Sequence, residues 1–350
     1  MPPTPTRTAR HHRPPINRLG IAGVAPNVTL VNIRAGQDSG YFFLAPSLDA
    51  LTYAADIGVD VVNMSFYIDP WLFNCTDNPA DPPQAQIEQR TIIEATQRAL
   101  NYAHRHRVTL VSAIGNGDDD LGRPETDTTS PDFPEGAAYP RPIDNDSCLS
   151  LPTEGNHVIA VTGVGPSTRK SYYSDYGVEQ AEVAAPGGDR NDYPGTPQYR
   201  SYDNLILSAY PAALALERGE IDANGEPVVP YLVKNCANGT CGYYAYFQGT
   251  SMASPHAVGV AALIVSEYGR RDRNGGLTMN PNRVEQILER TATDTPCPEP
   301  RLQTYITGAA PAVNPQYTAL CEGSAEFNGF YGEGIVDALA AVTSGRFPRD

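Results

Sequence analysis

The chain has 350 residues, 41% of them hydrophobic, and no apolar run near the length of a bilayer crossing, so one large soluble domain is expected and no membrane partner. Forty acidic residues against 25 basic ones leave a formal charge of −15. Nucleic acids and anionic surfaces would be repelled, which excludes a phosphate-binding role. The acidic surplus reads as a solvated surface. Six cysteines, Cys75, Cys148, Cys236, Cys241, Cys297 and Cys321, lie in polar, Pro- and Gly-rich surroundings without CxxC or His-x-Cys spacing. They read as disulfides rather than metal ligands, with Cys236 and Cys241 placed to close a short loop, and they imply an oxidising compartment. No cofactor is expected and no metal ligand set is indicated.

The N-terminal stretch MPPTPTRTARHHRPPIN holds no apolar core of the kind a signal peptide needs. After it, VTLVNIRA (28 to 35), VDVVNMS (59 to 65), VTLVSAIGN (108 to 116) and HVIAVTGVG (157 to 165) are nearly continuous apolar runs. Such runs suit strands buried on both faces of a parallel sheet. APSLDALTYAADIG (45 to 58) and TIIEATQRALNYAHRHR (91 to 107) carry apolar residues at helical spacing and predict the crossovers of a doubly wound α/β sheet. Segments 68 to 90, 117 to 155 and 189 to 247 interrupt this pattern and read as surface loops. GTSMASPHAVGVAALIV (249 to 265) predicts a helix with Pro255 in its first turn.

A serine at the start of such a helix meets unsatisfied backbone N–H groups that can stabilise an oxyanion. The same residue in isolation reads as an ordinary N-cap. The eight residues GTSMASPH resemble the nucleophile motif of the subtilisin-like serine peptidases, the subtilases, whereas Ala253 stands where the GxSxG elbow needs its second Gly. SAIGNG (112 to 117) is similar to the oxyanion segment of that family, and its Asn favours subtilisins over sedolisins. GIAGVAPNVTLVNIRA, VIAVTGVGPSTRKSYYSDYG, AAPGG and FYGEGIVDALAAV resemble further family segments. The resemblance implies a three-layer α/β/α fold with a mostly parallel central sheet over 15–346, with 1–14 unmatched. It implies a serine endopeptidase acting on polypeptides through an acyl-enzyme, secreted, with Ser251 as nucleophile and Asn116 as oxyanion donor. Ser65, Phe66 and Tyr67 on one side, and Ser112, Ala113, Ile114 and Gly115 on the other, would flank extended substrate. Phe66 and Tyr67 stand where the family commonly has glycines.

The Asp and His of the family triad are missing. Counting back from GVAP, the His would fall at about Thr4, and no Asp precedes Asp38. His11 and His12 fall late and lack the family's glycines, His104 and His106 read as a solvated face, His157 opens a strand, and His256 belongs to the serine helix. The reading is therefore a catalytic domain lacking its first strands and inactive by itself. In the family the Asp-bearing strand lies between those matched by 28 to 35 and 59 to 65, so a gap in the sheet is expected. The alternative is a pseudoprotease that binds extended peptides without cutting them. For residues 1 to 13 two origins stand side by side, an out-of-frame reading of the catalytic-His region, in which Thr-Ile-Ala becomes His-His-Arg, and an unrelated short tail.

Overall fold

The computed structural model describes residues 16, 18–123, 125–271, 276–308, 312–344 and 347. The expectations that fall on residues 1–15, including those for Thr4, His11 and His12, lie outside them. Helix α1 (Leu44–Asp56) and strand β1 (Val61–Met64) are followed by α2 (Pro83–Arg105), β2 (Thr109–Ala113), β3 (Val158–Val164) and β4 (Val183–Pro186). The four strands pair in parallel in chain order, Leu110 lying between Val62 and Val158. A second block holds β5 (Ile206–Tyr210), α3 (Ala212–Glu217), β6 (Leu232–Ala237) and β7 (Thr240–Phe247), and leads into α4 (Thr250–Tyr268), α5 (Pro281–Arg290) and α6 (Ala338–Thr343).

Side chains alternate along a strand, so a sheet covered on both faces needs apolar residues at every position. β2 and β3 come close to that demand, all their residues being buried and only Thr109, Ser112 and Thr162 polar. Leu110 and Val158 pack under α1 and α2 with Leu51, Ala55, Ala99, Leu100 and Ala103. Val111, Ile159 and Val161 point the other way, onto α4 and α5. This is the expected α/β/α layering. α4 is largely buried as far as Val265, and a Cβ on its Gly259 would lie 2.6 Å from Val24 Cβ, which is how closely the GVAP segment packs on it. No described helix is long and apolar enough to cross a membrane.

Several expectations need correction. VTLVNIRA (28 to 35) forms no strand, and Leu30 and Val31 remain 36% and 48% exposed. An apolar run specifies what can be buried, but a strand also needs a ladder partner, and none of the described residues pairs with this segment or with the outer edge of β1. α2 begins at Pro83 rather than Thr91. Its first turns are polar because Gln89, fully buried, accepts from Cys75 N–H at 2.8 Å and donates to Asp81 at 2.6 Å. Segment 189–247 is not a loop. It contains the antiparallel sheet β6-β7-β5, whose β6–β7 turn is closed by the Cys236–Cys241 disulfide. The other cysteines pair as Cys75–Cys148 and Cys297–Cys321, leaving none free. Nor is the acidic surplus all solvated, since Asp69, Asp81, Asp118, Asp127, Asp175, Asp189 and Asp192 are buried.

The insertions 68–90 and 117–155 are fastened to each other by Cys75–Cys148 and by Arg141, whose side chain is fully buried. Its guanidinium pairs with Asp81 at 2.8 Å and Asp127 at 2.9 Å, donates to Gln89 Oε1 at 2.7 Å and lies 4.7 Å over the Trp71 ring. Arg141→Met leaves two buried carboxylates without their cation. A loss of about 3–5 kcal/mol in unfolding free energy is expected, read from urea denaturation with disulfides intact.

A second tie joins residues 41–43, 67–70 and 130–133. Asp69 accepts from Phe42 N–H and donates its own N–H to Phe42 O at 3.0 Å, while Asp132 N–H donates to Pro70 O at 3.0 Å. Burial, opposed by the Phe42 N–H and reinforced by the hydrogen-bonded carboxyl of Asp132, pushes Asp69 up to about 7. The folded chain thus holds a proton that the unfolded chain releases near pH 4, roughly the ordinary carboxylate value. The contribution of this site to stability must then fall as pH rises from there to the folded value, and level off above it. The difference in Tm between wild type and Asp69→Asn should shift against wild type over that interval. Parallel Tm curves would contradict the assignment.

Candidate active site

The carboxyl ends of β1 and β2 and the amino end of α4 converge on one point of the molecule. Gly249 caps α4 at φ +146°, a conformation costly for any residue with a Cβ. Its N–H donates to Gly187 O at 3.0 Å and to Tyr173 Oη at 2.8 Å. The next N–H, that of Thr250, donates to Asn116 Oδ1 at 2.9 Å, while Thr250 Oγ1 donates to Gly115 O at 3.0 Å. A backbone N–H only donates, so the Asn116 oxygen must face it and the Nδ2 group is turned the other way. Among the described residues, neither Asn116 Nδ2, Ser251 N–H nor Ser251 Oγ has a hydrogen-bond partner. Two unused donors and a half-buried hydroxyl therefore share one helix terminus, where the backbone dipoles favour negative charge.

The helix starts at Thr250, which puts Pro255 in the second turn rather than the first. Proline has no N–H for the carbonyl four residues back, so Ser251 O lacks its helical donor. Ser65 Oγ approaches that oxygen at 3.4 Å and lies 2.9 Å from Ser254 Oγ, which also donates to Asn63 Oδ1 at 2.9 Å. Through these contacts the end of β1 grips the first turns of α4.

Phe66 stacks on Phe42 at 4.3 Å between ring centroids, and Tyr67 Oη donates to Asp132 Oδ2 at 2.6 Å. Ser112 and Ala113 end β2 within the sheet, and Ser112 Oγ donates to Met64 O at 3.0 Å. Ile114 is buried and donates its N–H to Val161 O at 3.2 Å, whereas Gly115 is half-buried and Asn116 exposed. Sequence reasoning passed over Tyr173 and Asp175, which hold Gly249 and the 115–117 turn from beneath. The available signal was a run of hydroxyl and carboxyl residues, SYYSD, between two buried strands.

No described histidine reaches Ser251. His104 and His157 stack at 3.7 Å beside the amino end of β3, opposite the site. His106 Nδ1 bonds Tyr102 O at 2.8 Å. His256 Nδ1 donates to Met252 O at 2.8 Å, and its ring also meets the Pro186 carbonyl; burial holds its pKa below the usual imidazole value. Among the described residues, no group of three or more His, Cys, Asp or Glu is arranged to hold a metal ion.

Comparison with known proteins matches this geometry to a family. The family model described as "Subtilase family" matches residues 11–332. A thermophilic serine proteinase of Bacillus sp. (strain AK1) is 28% identical over 79% of this chain and 43% of its own length. Thermitase of Thermoactinomyces vulgaris is 26% identical over 74% of this chain and 58% of its own. Subtilisin DY of Bacillus licheniformis is 24% identical over 79% and 66% respectively. The chain therefore spans from 43% to 66% of the length of these relatives. Among solved structures, a lanthipeptide protease superposes with TM-score 0.56 at 24% identity, over 92% of this chain and 72% of that one. The nisin leader peptidase NisP of Lactococcus lactis gives TM-score 0.57 at 19% identity, over 98% and 72%. With its GTSMASPH helix set against the Asn116 turn, and with that model covering most of its length, the chain belongs to the subtilase family.

Proposed function

We propose that this chain carries the nucleophile and the oxyanion site of a subtilisin-type serine endopeptidase acting on polypeptides. Ser251 Oγ would attack the scissile carbonyl, and Asn116 Nδ2 with Ser251 N–H would donate to the resulting oxyanion. The observation that carries this reading is the Thr250 N–H to Asn116 Oδ1 bond, which commits the amide to present its donors. An extended substrate would run between Ser65, Phe66 and Tyr67 and the turn formed by Ser112, Ala113, Ile114 and Gly115. Three disulfides and the family support secretion.

The proton of Ser251 has no acceptor among the described residues. The reading is that the described fold by itself does not turn over peptide, because a serine that keeps its proton is a weak nucleophile. The same observation favours a second reading, a peptide-binding pseudoprotease that uses the cleft without cutting.

The test is hydrolysis of a chromogenic peptide by the purified chain beside its Ser251→Ala variant. Equal background in both is expected, and turnover that disappears in the variant would overturn the claim of inactivity. When a preceding segment supplies both an Asp and a His, Ser251→Ala should abolish turnover. In that form Asn116→Ala should lower kcat about 100- to 1000-fold, a magnitude carried over from subtilisin's own oxyanion asparagine. Tight peptide binding without turnover in that completed form would select the pseudoprotease reading.

A further inference from the structure

Asn116 is exposed, and its own N–H and C=O make no hydrogen bond among the described residues. Its backbone is therefore held through its neighbours, Gly115 and Gly117, and one residue touches both. The Asp175 N–H donates to Gly115 O at 3.2 Å, while Asp175 Oδ1 accepts from Gly117 N–H at 2.6 Å and from Asp119 N–H at 3.0 Å. The other oxygen, Oδ2, sits where a Cβ on Gly115 would lie 1.8 Å away, and Gly115 has φ +127°. Flanking bonds, Asp118 N–H to Tyr173 O at 3.0 Å and Tyr176 N–H to Asp119 O at 2.9 Å, lay the two segments side by side.

We propose that Asp175 is a positioning residue that clasps the Gly115–Asn116–Gly117 turn from beneath and so aims the Asn116 amide. The role rests on the reading of Asn116 as oxyanion donor. Thr250 fixes which way the amide is turned, and Asp175 fixes where the turn that carries it lies. The charged groups that face the clasp are Asp119 and Glu125 from the segment after the turn and Lys170 from the other side. Burial and the charge of Asp119 hold the Asp175 carboxyl well above the usual range. Its task asks only for an accepting oxygen, which a neutral carboxyl or an amide also supplies. Asparagine should therefore replace it and alanine should not.

The test compares wild type, Asp175→Ala, Asp175→Asn and Asn116→Ala in the full chain. Backbone amide exchange is followed at Gly117 and Asp119, with β2 and β3 amides as a control for global unfolding. Affinity for a peptidyl boronate is followed relative to the matching peptide amide at a pH where boron carries hydroxide, because that tetrahedral anion presents an oxyanion mimic without a bond to Ser251 or a proton to place. Asp175→Ala should speed exchange at Gly117 and Asp119 at least tenfold with β2 and β3 unchanged. It should also lose the boronate preference as Asn116→Ala does, and Asp175→Asn should keep both. Wild-type exchange in Asp175→Ala, equal loosening of β2 and β3, or failure of Asn to rescue would overturn the assignment. So would loss of boronate preference in Asn116→Ala with Asp175→Ala unaffected. If Asn116→Ala keeps the preference while Asp175→Ala loosens the turn, the oxyanion reading fails and the positioning role fails with it.

Discussion

A single backbone donor, the N–H of Thr250, joins the two parts of the fold from which this site is assembled. It belongs to the first residue of α4 and binds the side-chain oxygen of Asn116, which lies just beyond β2. The bond satisfies an N–H that a helix start would otherwise leave bare, and removes the rotational freedom of the amide. Thr250 also needs its hydroxyl, since Oγ1 reaches Gly115 O and accepts from Gly115 N–H at 3.3 Å. Gly249 must then turn the chain sharply enough to deliver both groups, which its positive φ permits. The GTS tripeptide is thus one device, in which Gly sets the entry angle, Thr locks the asparagine and Ser is left with its hydroxyl and N–H unengaged.

The segment after β1 depends on a different kind of contact. Phe66 and Tyr67 are large residues in the segment that the proposal sets beside Ser251, and each is fixed by a segment distant in sequence: Phe66 by Phe42, and Tyr67 by Asp132. Asp132 lies in an insertion that is itself ordered around the buried Arg141. A buried guanidinium with two carboxylates is weak evidence for net stability, because its desolvation offsets much of the attraction. Its geometric effect is plainer, since five planar donors tie Asp81, Gln89, Phe73 and Asp127 into one arrangement. The insertions are therefore tied into the segment after β1 and do not form a detachable surface.

What the sequence made legible follows from what each pattern measures. Nearly continuous apolar runs found β1 to β3, because strands covered on both faces favour that composition. The same rule failed for VTLVNIRA, since it reports burial potential and says nothing of whether a ladder partner is present. Hydrophobic periodicity missed the first turns of α2, where Gln89 fills a core-facing position by satisfying its polar atoms inside. It also missed β5 to β7, whose Tyr-rich strands lie among Pro, Gly and Asn. Within the candidate site, Ser251 and Asn116 were singled out by motifs, and the structure brings their segments together. Tyr173 and Asp175 were not, because their work is to bind backbone groups, and no side-chain pattern records which backbone groups are short of partners.

The burial of so many aspartates has the same origin. Irregular chain beside the sheet leaves N–H groups that no ladder or helix can satisfy, and a short carboxylate is well suited to collect them. Asp175 takes those of Gly117 and Asp119, Asp189 those of Tyr172 and Asn191, and Asp192 those of Ser167 and Tyr193. Only Asp81, Asp118 and Asp127 among the buried set meet a cation, at Arg141 or Lys170. Burial raises the carboxyl pKa even where a cation is near, and Asp118 beside Lys170 and Asp189 are each pushed up to about 6. Part of the formal −15 is therefore internal, and for Asp118 and Asp189 the two ionisation states lie closer in energy near neutrality than composition suggests. An acidic composition here is partly a record of loop backbone that had to be hydrogen-bonded within the protein, and the turn bearing Asn116 is one of the places where that was done.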